Sequence, residues 1–212
     1  MRIKHLTETD FVVSRWSGGF TTQLWIAPEG AVYGDRDFLW RVSSASVELD
    51  FSDFTPLADY HRWITTLDGS ITLTHDGGAP IRLSPYDIHD FDGAAATSCL
   101  GRCRDFNLML RKGQCRGAVR CLRLSGEAVV GPELGPDPLF PHCTLLIYCG
   151  SGCGVLTLPE GSLWCAEGEC ILVEDAPSAR LPLAAYGPSH FLIAEILQHE
   201  FCKTTPIFTG PL

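Results

Sequence analysis

Long apolar runs are missing from this sequence. None of its 212 residues falls in a stretch long enough to cross a bilayer as a helix, which takes about 20 apolar residues. The opening MRIKHLTETD has no apolar core segment, so no secretory signal is expected. Basic residues are scarce. Sixteen Lys and Arg stand against 25 Asp and Glu, a net charge of −9. Phosphate backbones and anionic membranes are gripped by clustered Lys and Arg, so neither nucleic acid nor a membrane is expected as a partner. Helical periodicity is absent over any useful length. A G-x-S-x-G elbow, a P-loop and a G-x-G-x-x-G turn are absent too. The seven histidines include no H-x-H pair, the spacing that lets two imidazoles on one strand face grip an ion. His61, His75, His89, His142, His190 and His199 each stand alone. No metal and no cofactor is expected.

Cysteine, by contrast, is plentiful, with ten residues. Disulfide frameworks belong to short secreted chains. Here most cysteines sit in apolar, strand-like runs and read as buried free thiols in a reducing cytoplasm. Two C-x3-C pairs, Cys99/Cys103 and Cys149/Cys153, would each share a face if each lay on one strand. Neither has the second pair or nearby His that would complete a zinc site.

Glycine (21) and proline (14) punctuate short apolar stretches throughout. An all-β sandwich or barrel reads this way. Asp68-Gly69 lies between WITTL and SITLT and is expected to close a tight hairpin. His75-Asp76-Gly77-Gly78 ends the next strand in the same manner.

The stretch from Phe38 to Arg62 carries the most information. In its first half Arg41, Ser43 and Ala45 alternate with Trp40, Val42 and Ser44, so the arginine and serine share one strand face. Arg62 opens the next strand. Further on, CLGRCRDFNLML alternates as well. Asp105 and Asn107 point one way with Cys103 and Met109, and Phe106, Leu108 and Leu110 the other. If both polar faces turn inward, they enclose two guanidiniums, a carboxylate, an amide and hydroxyls. Guanidinium grips carboxylate with two prongs, which fits a small carboxylic acid ligand. The competing reading pairs Asp105 with Arg41 or Arg62 as a structural bridge. The run Trp16 to Gln23, WSGGFTTQ, is either a glycine bend into the strand QLWI or a lip whose backbone and threonines meet a ligand.

Glycine turn, alternating strand, second turn, then an acid-containing step into another strand: this sequence occurs at Gly69–Ile88 and again at Gly152–Ile171. Cupin barrels read in this way. The expectation is an all-β bicupin of two stacked, jelly-roll β-barrel modules, residues 1–112 and 113–212, with strands at the termini free to exchange between barrels. HFLIAEIL is expected to be a closing strand.

The chain resembles the HutD/Ves family of cupin-like proteins. The resembling pieces are WSGGFTTQL at Trp16–Leu24, FLWRVSSA at Phe38–Ala45, FSDFTPL at Phe51–Leu57 followed by Tyr60, Arg62, Leu67 and Gly69, and DFNLMLR at Asp105–Arg111. The resemblance implies a bicupin without bound metal, working beside histidine utilisation. There it would bind a small pathway acid such as urocanate or a formylated glutamate and so restrain pathway output. The implied pocket residues are Arg41, Ser43, Arg62, Asp105 and Asn107, with Thr21 and Thr22 nearby. Trp16 and His61 complete the candidate ligand-binding set. Phe20 and Ala58-Asp59 depart from the family pattern and are expected to narrow the pocket mouth.

Three functions remain open on the sequence. One is a non-enzymatic cytoplasmic binder of a small carboxylate. Another is a metal-free isomerase or hydrolase with His61 or Asp105 as base. The third is an interaction protein, for instance a homodimer formed through open strand edges.

Overall fold

The computed structural model describes residues 1–199; Cys202 lies outside them. The first half of the chain forms β1 (Arg2–Leu6), β2 (Val12–Trp16), β3 (Gly19–Ala27), β4 (Trp40–Val47), β5 (Phe51–Asp53), β6 (Tyr60–Asp68), β7 (Ile71–His75), β8 (Ile81–Leu83), β9 (His89–Asp92), β10 (Thr97–Leu100) and β11 (Cys103–Arg111). The second forms β12 (Cys115–Leu124), β13 (Glu127–Val130), β14 (His142–Ser151), β15 (Cys153–Leu158), β16 (Gly161–Ala166), β17 (Cys170–Glu174), β18 (Leu181–Ala185) and β19 (Ser189–Gln198). Two single-turn 3-10 helices, Glu8–Asp10 and Tyr33–Asp35, are the only helical pieces among the described residues. Among the described residues no helix is long and apolar enough to cross a membrane.

The strands form four sheets. The large ones run β2-β3-β4-β11-β6-β9 and β1-β17-β14-β19-β12; the small ones run β5-β10-β7-β8 and β13-β18-β15-β16. Strands β4–β11 and β12–β19 therefore repeat one arrangement. This is a two-module, cupin-like jelly-roll fold. Each module is a pair of facing sheets with open edges, not a closed barrel. β1 crosses to the second module and pairs with β17, Leu6 opposite Cys170.

Packing follows the alternation. Trp40 and Val42 of β4 and Phe106, Leu108 and Leu110 of β11 face the second large sheet, meeting Leu146, Tyr148, Leu192, Ala194 and Ile196. The opposite face of each large sheet looks at its own small sheet. In the second module that space is solid, filled by Leu145, Ile147, Cys149, Leu156, Phe191 and Ile193, all at most 1% exposed.

Three local expectations change. Asp68-Gly69 is not a hairpin: β6 pairs with β11 and β9, whereas β7 pairs with β10 and β8. Gly69 turns a corner between facing sheets at φ 71°, where an added Cβ would strike the Arg102 carbonyl oxygen. Positive φ is what the pattern D-G signals; it says nothing about which strand comes next. The C-x3-C pairs each span two strands, β10–β11 and β14–β15, so neither pair shares a strand face. HFLIAEIL, within β19, is an interior strand between β14 and β12. The nine described cysteines are all free.

Candidate functional site

In the first module the space between the sheets is open, a cavity of about 640 Å³. Its floor is built by strand register. Met109 of β11 lies opposite Arg41 on β4 and Arg62 on β6. Two residues earlier, Asn107 lies between Ser43 and Ile64. Asp105 comes next, opposite Thr66, its carboxylate accepting the Ala45 N–H at 2.8 Å. Because alternate residues share a face, the three rows bring two cations, an amide, a hydroxyl and a carboxylate to one surface.

Each guanidinium is held differently. Arg41 donates from Nε to Gln23 Oε1 at 2.8 Å and from Nη1 to Ser43 Oγ at 3.1 Å. It lies 4.3 Å over the Tyr33 ring. Arg62, 7% exposed, sits over two rings, Phe54 at 5.0 Å and Phe91 at 5.1 Å. It makes no hydrogen bond among the described residues, and its Nε is sealed from solvent without an acceptor. Burial pushes the Arg62 pKa down to about 10 and lowers that of Arg41 as well. The bridge that would join Asp105 to either arginine is not formed, since every ion pair within 4.0 Å lies elsewhere. Burial raises the Asp105 pKa to about 6, against the pull of the Ala45 N–H and both guanidiniums.

Arg41, Ser43, Arg62, Asp105 and Asn107 all line the cavity, and Trp16 and Thr21 stand at its mouth. The lip is the end of a hairpin, β2 to β3, in which Trp16 pairs with Gly19. A Cβ on Gly18 would run into the Trp16 indole. Two candidates are not brought in. Thr22 alternates with Thr21 and falls on the other face of β3. His61 sits half-exposed, its Nε2 2.9 Å from Asp90 and its ring against Trp63, because it alternates with Arg62. Phe20 and Ala58-Asp59 do not line the cavity either. Sequence reasoning missed Gln23, Tyr33, Ser52 and Phe54. Phe54 and Ser52 lie within the FSDF motif, the one signal that could have found them.

The same register in the second module serves as an internal control. Both modules skip one residue in the strand opposite the last one, Leu67 of β6 against Arg104/Asp105 and Gly150 of β14 against His190/Phe191. Aligned there, Arg62 corresponds to Leu145, Asp105 to Phe191 and Asn107 to Ile193, all three fully buried. The fold closes over alkyl and aromatic groups where the first module keeps charge.

The HutD family model matches residues 8–190. Among solved structures, a conserved protein of unknown function from Pseudomonas aeruginosa, PA5104, superposes with a TM-score of 0.79 at 24% identity, covering 93% of this chain and 100% of that one. HutD from Pseudomonas fluorescens, solved in a formate condition, gives 0.68 at 24% identity, covering 94% and 100%. The bacterial pirin YhhW from Escherichia coli, in complex with nickel(II), gives 0.65 at 8% identity with the same coverage, a likeness of fold alone. A search of curated proteins found no match. With 183 positions (190 − 8 + 1) inside the family model and a two-module cupin-like fold, this chain belongs to the HutD family.

Proposed function

We propose that the first-module cavity binds one small carboxylate anion without turning it over. In this reading the protein is a cytoplasmic sensor or sequestering partner of histidine utilisation, with a ligand of the urocanate or formylglutamate type. The observation that carries it is Arg62, a buried cation with no carboxylate within 4.0 Å among the described residues. Burying an unpaired charge costs several kcal/mol, and a bound carboxylate meets that cost by accepting from the guanidinium N–H groups that Gln23 and Ser43 leave free on Arg41 and from the Nη atoms of Arg62. Met109, between the two arginines, leaves the ligand a short apolar contact at the same row. His61 lies outside the cavity, so Asp105, which lines it, is the one of the two candidate bases that a turnover reading would use.

The test is a thermal-shift screen of metal-stripped protein against urocanate, formylglutamate, histidine and formate. A ligand that binds only the folded state raises the melting temperature once its concentration exceeds Kd. A shift with one acid, lost in Arg62→Met, is the expected result. No shift with any small acid would sink the reading. Conversion of a bound acid to product would replace it with the enzyme reading.

A further inference from the structure

The far end of the cavity floor holds an acceptor rather than a cation, and this asymmetry bears on the ligand. Asp105 is 5% exposed. One carboxylate oxygen accepts the Ala45 N–H at 2.8 Å; the other makes no hydrogen bond among the described residues. No Lys, Arg or His nitrogen of those residues lies within 4.0 Å of it. Beside it stands Asn107, whose Oδ1 is buried and also unpartnered.

The β4–β11 ladder has no pair at this point, and the Ala45 N–H gives one of the two carboxylate oxygens a structural partner. Its one bond, to Ala45, lies next to the irregularity at Arg104/Asp105. The second module makes the equivalent irregularity with Phe191 in that place, 0% exposed. There Phe191 pairs regularly with Leu122 on the other side, so no side chain is needed to accept a ladder N–H. An ionised group with one hydrogen bond in a buried site is costly unless something else donates to it. The Arg41–Met109–Arg62 row lies two rows away, about 13 Å along the strand, a gap that the long arginine side chains partly span. Ser43 and Asn107 lie between.

We infer that the ligand carries, besides the carboxylate held by Arg41 and Arg62, a hydrogen-bond-donating nitrogen that Asp105 accepts. The class is a small acid with an amide, ring N–H or ammonium group at the end away from its carboxylate. A dicarboxylate with no N–H to offer is disfavoured, because its second anion would face Asp105. This inference rests on the carboxylate reading of the same cavity.

Isosteric pairs that differ only in the donor test it. N-acetylglycine is compared with acetoxyacetate, and urocanate with 3-(oxazol-4-yl)acrylate; in each second member oxygen replaces the N–H and every other polar atom is kept. Binding of each to the metal-free full chain is measured by calorimetry. In at least one pair the N–H member is expected to bind tenfold or more tightly than its partner. Asp105→Asn, which keeps an oxygen for Ala45 and puts an amide N–H₂ in the cavity, is expected to remove that preference while the oxygen member still binds. Equal affinities within each pair would overturn the inference and leave the carboxylate reading standing. No binding by any of the four would overturn both. A preference that survives in Asp105→Asn would place the donor elsewhere and overturn the assignment to this residue. Should that variant fail to fold, the wild-type comparison still decides whether a donor is read at all.

Discussion

Arg62 and Leu145 hold the same register position in the two modules, one as a buried guanidinium between Phe54 and Phe91, the other as a fully buried alkyl chain. The same register position thus accepts either group, and a buried charge without a close partner is the costlier of the two. Arg62→Leu is expected to raise unfolding stability by about 1–3 kcal/mol, as replacement of buried charge by well-packed apolar groups often does. The same variant is expected to lose acid-induced thermal shifts. Urea unfolding and the ligand screen read the two effects side by side. A destabilised variant would mean that Arg62 holds the fold together.

Asp105 makes stability depend on pH. Its folded pKa is raised by burial to about 6 from an ordinary 3.8. A carboxyl that binds its proton more tightly when folded stabilises the protein fully below the unfolded pKa. That contribution is lost as pH rises through the folded one. Between about pH 4 and pH 6 the wild type should therefore lose on the order of 1–3 kcal/mol relative to Asp105→Asn. Melting curves of both proteins across that window check it; parallel curves would contradict the burial argument.

His61 tests the boundary of the site. It is paired with Asp90 on the outside of the first large sheet. His61→Ala is expected to leave ligand affinity within twofold of wild type and stability within about 0.5 kcal/mol, the usual range for surface changes. A tenfold loss of affinity would return His61 to the cavity's chemistry.

Glu195 gives a contrasting buried carboxylate. It is 1% exposed, accepts the backbone N–H groups of Glu133 at 2.8 Å and Leu134 at 3.1 Å, and lies 3.5 Å from Arg120. Glu195→Ala leaves those donors unmet and is expected to cost about 2–4 kcal/mol, read by denaturant titration, with ligand binding unchanged. Equal loss of binding would couple the second module to the cavity.

Much of this was legible along the strands. The alternation in WRVSSA and CRDFNLML put Arg41 with Ser43 on one face and Asp105 with Asn107 on another, because a strand's period of two is a local property; which way those faces turn was left open. Register and sheet order were not legible. They depend on partners far away in sequence, so neither the placing of Arg41 and Arg62 on the two flanks of Met109 nor the corner at Gly69 could be read locally. The exposed strand β2, Val12–Trp16, has no apolar alternation, since its side chains meet mostly solvent. Tyr33 and Phe54 reach the cavity from a 3-10 turn and the end of a three-residue strand, where no periodicity exists to point inward.

The pairing of β1 with β17 has a consequence for biosynthesis. His5 meets Glu169 across 164 positions of chain. On the ribosome β1 is made early and then waits, its hydrogen-bonding edge open, until β17 has emerged at about 5–20 residues per second. For that interval of roughly ten seconds or more, the nascent chain presents an unpaired strand that other chains could capture. The basic and polar residues Arg2, Lys4 and His5 along it are the kind that keep such an edge from sticking.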